Sequence, residues 1–333
     1  MKESKMTHWE RITAAIAGEP VDRVPVGLWR HFPVIDQDSV KVAEATIAWQ
    51  RTYDFDILKY TPDGTYGVDD WGAVSSYLDA PGGFRVVTKP GLTSADAWPK
   101  LAKLSPTQGR LGREIKSISM VAEAFKGEVP LFATLFSPMT TAVKLAGERV
   151  FGDLRSHPEL FEAGLATIAE TTLAFARAAL RAGVHGIFFA SQVGSYRKMN
   201  EAEHRQFGVR YDRMVLDPLA RECKFIMLHL HGDDMIFNQM LDYPVNMINW
   251  HDRHSEMTLA GGMGRFNGLL AGGLDHEGTL MKGSVEAIKE QVRDAITQTK
   301  GRRLMIAPGC VGQVPTPDAN YRAVMEAVAE MAF

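Results

Sequence analysis

The chain has 333 residues, 45% hydrophobic and 23% charged, with a formal net charge of -3. That balance suits a globular protein of one large α/β domain or two smaller ones. It leaves no basic footprint for nucleic acid, and no apolar run reaches the about 18 residues of a membrane-crossing helix.

The two cysteines, Cys223 and Cys310, cannot build a disulfide framework. The polar start, Met1 to Glu10, lacks a signal-peptide core. A reducing, cytoplasmic setting is therefore expected. In chain order, residues 6–18 read as an amphipathic helix ending at Gly18, and residues 24–28 as a first short strand. A helix at 40–53 precedes a second strand at 56–60 and a polar loop with Asp63 and Gly64. Residues 71–92 look like a β-ribbon insertion around a Pro81-Gly82-Gly83 turn. A helix at 109–126 leads to strand three at 129–134. Helical residues begin again at 142–145, and His157-Pro158 opens a long alanine-rich helix to about 182. Strand four is 185–190 and a helix covers 199–221. Strand five is Phe225-Ile-Met-Leu-His-Leu-His-Gly232. Strands six, seven and eight follow at 246–250, 268–271 and 303–307, with helices at 284–298 and 317–332. Eight apolar strands alternating with helices predict a parallel sheet closed into a single (β/α)8 TIM barrel spanning residues 1–333. An open doubly wound sheet is the rival, but the turn after Leu28 lacks a glycine-rich fingerprint.

In barrels the chemistry sits at the carboxyl ends of the strands. Side chains alternate along a strand, so His229 and His231 share one face with Phe225 and Met227, opposite Ile226, Leu228 and Leu230. Two imidazoles at a strand end suit one metal ion, and Cys310 in Ala307-Pro-Gly-Cys310 offers a soft third ligand. His229, His231 and Cys310 would leave zinc an open fourth position. The plainer alternative is that both histidines bond to carbonyls. His251 is a candidate fourth ligand, substrate contact or solvent-facing loop residue. Asp233 and Asp234 could orient a histidine or cap a helix. Arg30 is the candidate anion anchor, Asp63 the candidate acid, base or cation stabiliser, and Ser191 and Gln192 the candidate substrate contacts.

These residues fall in a pattern that resembles the uroporphyrinogen decarboxylase superfamily, which includes zinc-dependent methyltransferases that serve corrinoid proteins. The resemblance rests on Gly18-Glu-Pro-Val-Asp-Arg-Val-Pro-Val26 with Arg30, on Asp56, Asp63 and Gly72, on Phe132 to Met139, on Ser191, and on Ala307-Pro-Gly-Cys-Val-Gly312 with Thr316-Pro. The decarboxylases carry a second arginine where this chain has Val34, a tyrosine where it has Ala142, and a histidine where it has Cys310. The methyltransferases carry His-x-Cys where this chain has His229-x-His231, and share Pro308-Gly-Cys310. The resemblance thus implies zinc at His229, His231 and Cys310, methyl transfer to a thiol or similar acceptor, a corrinoid donor on a separate protein, and a homodimer. The alternative it implies is a metal-free decarboxylase of a porphyrinogen or another carboxylated small molecule, using Arg30 and Asp63. A barrel that binds a ligand without turnover is a third reading.

Overall fold

The computed structural model describes residues 6–232 and 234–332. Nine strands are present among them: β1 (Leu58–Tyr60), β2 (Val74–Tyr77), β3 (Arg85–Lys89), β4 (Leu131–Phe136), β5 (Gly186–Ser191), β6 (Phe225–Leu230), β7 (Met247–Trp250), β8 (Leu269–Leu274) and β9 (Leu304–Pro308). Seven form one parallel sheet in the order β1-β4-β5-β6-β7-β8-β9. Their connections carry helices, as parallel pairing requires. The strands β2 and β3 pair antiparallel with each other.

Residues 24–28 depart from the expected strand. They make a single parallel bridge, Val26 to Ile306. Pro25 has no N–H to give, so this stretch offers only part of a ladder. It nevertheless bonds on both sides. Gly27 N–H donates to Ile306 O at 2.9 Å, and Asp56 N–H donates to Val26 O at 2.8 Å. The segment therefore lies between β9 and the start of β1, the two edges of the curled sheet. Gly27 permits the close approach, because a Cβ there would stand 2.7 Å from Ile57 Cγ1.

A buried carboxylate ties this corner together. Asp56 is 0% exposed. It accepts from Arg11 Nη1 and Arg23 Nη1, both at 2.6 Å, and from Val26 N at 2.8 Å. Removing one partner of such a buried pair typically costs about 3–5 kcal/mol, so the network fixes the opening helix His8–Ala17 against the sheet. That helix sends Ile12, Ala14 and Ala15 into a core with Phe132, Phe225, Met227, Met247 and Met305. This is the inside of the curl. Phe225 opens β6, so the helix closes the end away from the strands' carboxyl tips. Ile226, Leu228 and Leu230 face the second core, between sheet and helices, as the alternation along β6 predicts.

The long helix spans Pro158–Arg181, close to its expected limits. The stretch expected as one helix at 199–221 is instead a turn at Glu201–Glu203, a π-helical run His204–Val209, and the helix Arg210–Glu222. No described helix is long and apolar enough to cross a membrane.

Candidate metal centre and its cavity

Three strand tips bring the principal side chains together. β6 ends one residue after His229 and places His231 just beyond its tip. β7 is followed by His251, and β9 by Gly309 and Cys310. The ligand atoms of His229, His231, His251 and Cys310 all lie within 4.8 Å of one another. Cys310 Sγ is 3.7 Å from His229 Nε2 and 3.6 Å from His231 Nδ1. Gly309 allows this convergence, since a Cβ there would meet His251 Cα at 3.2 Å and Trp250 O at 3.3 Å.

The neighbouring strand fixes the orientation of His229. In the β6–β7 register His229 stands beside Asn249. Asn249 Nδ2 donates to Ala271 O at 2.8 Å and to Pro308 O at 3.0 Å. Its Oδ1 is thereby turned to His229 Nδ1, 2.6 Å away. An amide oxygen only accepts, so His229 carries its proton on Nδ1 and presents the Nε2 lone pair to Cys310. His231 is set by its backbone, whose N–H donates to Ser191 O at 3.0 Å. Phe188 stacks on the ring of His229 at 5.2 Å.

The donor set fits a metal. With bonds of about 2.3 Å to sulfur and 2.0–2.1 Å to nitrogen, tetrahedral ligand atoms stand roughly 3.6 Å apart, which is the spacing of Cys310 Sγ from both histidine nitrogens. His251 Nε2 is buried without a hydrogen-bond partner among the described residues. A buried imidazole nitrogen left bare costs free energy unless something binds it. Burial keeps the three histidines neutral. It pulls His231 down to about 4 and His251 to about 3, and lowers His229 well below its ordinary value. Burial pushes the Cys310 thiol up to about 11, so metal binding would have to displace that proton.

The cluster opens into a cavity of ≈ 380 Å³. Trp29, Phe136 and Phe188 give it apolar walls, and Gln192 and Thr134 line it too. It also holds Lys59 and Lys144. Burial lowers these ammonium groups to about 7 and about 8.

Not every expected site residue reaches this space. His251 joins the metal cluster and Gln192 lines the cavity, whereas Arg30, Asp63 and Ser191 are not among the lining residues. The Arg30 guanidinium lies 5.7 Å from the Phe32 ring and 5.8 Å from the Trp49 ring. Asp63 accepts from Arg113 Nη2 at 2.8 Å, Gln37 Nε2 at 2.9 Å and Thr65 N at 2.8 Å. Its carboxylate is thus fully engaged by these partners, and its charge acts on Lys144 and His31 in the lining. Asp234 lies 3.8 Å from Arg197, and Asp233 is outside the described residues. Asn249, Lys59 and Lys144 escaped the sequence reading. Lys59 did leave a signal, as a lone charge within Phe55-Asp-Ile-Leu-Lys-Tyr60 of an apolar strand.

Comparison with known proteins agrees with this geometry. A family model for uroporphyrinogen decarboxylase (URO-D) matches residues 7–331. A methylcobamide:CoM methyltransferase, MtbA, of Methanosarcina mazei is 22% identical over 337 residues, covering 97% of this chain and 98% of its own. A uroporphyrinogen decarboxylase of Pseudoalteromonas translucida is 23% identical over 237 residues, covering 64% of this chain and 65% of its own. A solved methyltransferase from Methanosarcina mazei superposes with a TM-score of 0.84 at 23% identity, over 98% of this chain and 99% of that one, which establishes the TIM-barrel-like fold. The chain belongs to the uroporphyrinogen decarboxylase (URO-D) family, and its full-length likeness runs to methyltransferases.

Proposed function

We propose that this protein is a zinc-dependent methyl or alkyl transferase that moves the group from a methylated corrinoid, carried on a separate protein, to a thiol or similar acceptor. The observation that carries the reading is the convergence of His229, His231, His251 and Cys310 at the wall of a substrate-sized cavity. The full-length similarity to methylcobamide:CoM methyltransferases supports it.

Those four residues would hold the ion, with His251 the ligand that would give way to the acceptor thiol. When bound, zinc makes a thiol available as its thiolate near neutral pH. The chain's own groups do the rest. Asn249 holds the His229 lone pair toward the centre, and the Ser191 carbonyl anchors His231 from the backbone. Trp29, Phe136 and Phe188 exclude water from the approach. Gln192 and Thr134 offer polar contacts to substrate. In the transfer a sulfur–carbon bond forms as the cobalt–carbon bond breaks. The electron pair stays on cobalt, and the thiol proton leaves to solvent. Arg30 and Asp63 act in this reading from behind the cavity wall, Asp63 by fixing the Arg113 and Gln37 side chains. We further read residues 24–28 as the eighth stave of a closed (β/α)8 barrel, with residues 1–333 one domain and the β2–β3 ribbon inserted after the second stave.

The test is a transfer assay. Zinc-loaded protein is incubated with methylcobalamin and a series of thiols, and thioether is followed by mass spectrometry. Thioether formation that requires both thiol and zinc is expected. No transfer to any thiol, together with carbon dioxide release from a porphyrinogen by zinc-free protein, would replace this reading with a carboxy-lyase.

A further inference from the structure

The exposed members of the cavity lining mark its mouth, and the two sides of that mouth are unlike. One side is a solvated ion pair, Lys198 Nζ to Glu148 Oε1 at 2.7 Å. An exposed pair of this kind is worth only about 0–1 kcal/mol, so this side yields. The other side is the β2–β3 ribbon, which turns through Pro81-Gly82-Gly83 and brings Phe84 to the cavity. Phe84 is 40% exposed, yet it lines the same space as the buried His229. A ring in contact with both solvent and cavity stands at the opening.

A lone exposed phenylalanine needs no explanation, but this one is held in place. Val314, four residues after Cys310, donates its N–H to Pro81 O at 2.7 Å. The loop that carries the cysteine therefore also holds the ribbon's tip. One residue past Phe84, Arg85 N–H donates to Asp63 O at 3.1 Å. The His31 ring meets the Phe84 ring edge-on, 6.2 Å between centroids. Two glycines make the fit possible. Gly83 adopts φ +70°, and a Cβ there would stand 2.5 Å from Val314 Cγ2. A Cβ on Gly82 would stand 2.5 Å from Phe84 Cε1, so the ring rests against bare backbone. The Arg85 guanidinium is kept on the ribbon, with Nε donating to Ser75 Oγ at 3.0 Å and the group lying over the Tyr77 ring at 5.1 Å. The ribbon thus presents an apolar ring, not a charge, to whatever enters.

We propose that Phe84 sets the width of the acceptor. It admits a straight, unbranched chain to Cys310 and turns away one that is branched or cyclic. This rests on the reading of the cavity as the acceptor's site and deepens it, by naming what selects the acceptor's shape. The space behind the ring is not the limit. At ≈ 380 Å³ the cavity falls in the range of about 300–1,000 Å³ that ordinary small-molecule sites occupy. The entrance, rather than the volume behind it, does the sorting.

Alkylation of Cys310 in metal-free protein tests this with no transfer chemistry. In a Cys223→Ser background Cys310 is the chain's single thiol. N-methylmaleimide and N-cyclohexylmaleimide carry the same reactive head and differ in width. Rates are followed by intact mass and divided by those of the same protein unfolded in urea, which cancels intrinsic reactivity. With Phe84 present, the cyclohexyl reagent should be slowed by about tenfold or more relative to the methyl one, the scale on which a pocket rejects a misfitting apolar group. Phe84→Ala should raise the cyclohexyl rate by about tenfold and leave the methyl rate within about twofold. Gly83→Ala, which forces the tip away from Val314, should act in the same direction, and Phe84→Trp in the opposite one. Failure of the transfer reaction would leave this result standing, because the probe needs neither metal nor methyl donor. Equal treatment of the two reagents by the Phe84 protein, or an unchanged ratio in both Phe84→Ala and Gly83→Ala, would overturn the proposal.

Discussion

Cys310→Ser is expected to lower zinc affinity by more than about 100-fold, beyond the 10–100-fold that loss of a supporting partner causes, and to abolish thioether formation with it. Cys310 supplies the only sulfur in the cluster, standing between His229 Nε2 and His231 Nδ1. A serine hydroxyl is a harder donor and does not give up its proton at neutral pH as a metal-bound thiol does. His229→Ala should match it, because it removes the ligand whose proton Asn249 places. The control is Cys223→Ser. Cys223 lies just before β6, at the opposite end of that strand, with Sγ 2.8 Å from Phe225 O. It should keep both metal and activity. Competition with a chelating indicator reads the affinities, and wild-type affinity in Cys310→Ser would remove the cysteine from the ligand set.

Acid should unfold the metal-stripped protein early, between about pH 6 and pH 4. Burial lowers His31 and His251 to about 3, His231 to about 4, and His229 further below its ordinary value. The unfolded chain takes up these protons near pH 6.5, while the folded chain refuses them until far lower. Stability therefore falls as pH drops through this window, by up to about 1.4 kcal/mol per pH unit for each histidine. Four such groups are large against a typical total of about 5–15 kcal/mol. His8 works in the opposite sense. Its hydrogen bond to Asp56 raises it, so its contribution is present in acid and lost as pH rises. Buried Glu114, Asp212 and Asp252, raised to about 7, about 7 and about 6, oppose the fall as well, whereas His185, His204 and His276, which burial lowers, add to it. The loss is therefore smaller than four full groups would give, with its sign set by the lowered histidines. Bound zinc should leave over the same range, because protons compete for its ligands. Urea midpoints at pH 7.5, 6 and 5 measure the effect, and midpoints that do not move would contradict neutral burial of the cluster.

Much of this was legible in the sequence because the signals were local. Strands such as Phe225–Leu230 are apolar runs with a strict two-residue alternation, and that alternation alone puts His229 on the inner face. Pro308-Gly-Cys310 was readable because a thiol after a strand end is chemically distinctive. The cavity cations were harder. Lys59 sits inside a strand where side-chain direction depends on the sheet's closure, and Lys144 meets it only through packing of the helix after β4. Arg30 and Asp63 looked functional from their positions after strands. Asp63's direction is decided by Arg113, 50 residues further on, a pairing no local pattern reveals. The bridge at Val26 shows the same limit, since its partners on β9 and beside β1 come from distant parts of the chain.

The most direct measurement is zinc K-edge X-ray absorption, with metal content, on wild-type protein purified without added metal. About one zinc per chain is expected, with one sulfur at about 2.3 Å and nitrogens at about 2.0–2.1 Å. Protein without zinc, or a zinc shell that contains no sulfur, would contradict a centre built on His229, His231, His251 and Cys310.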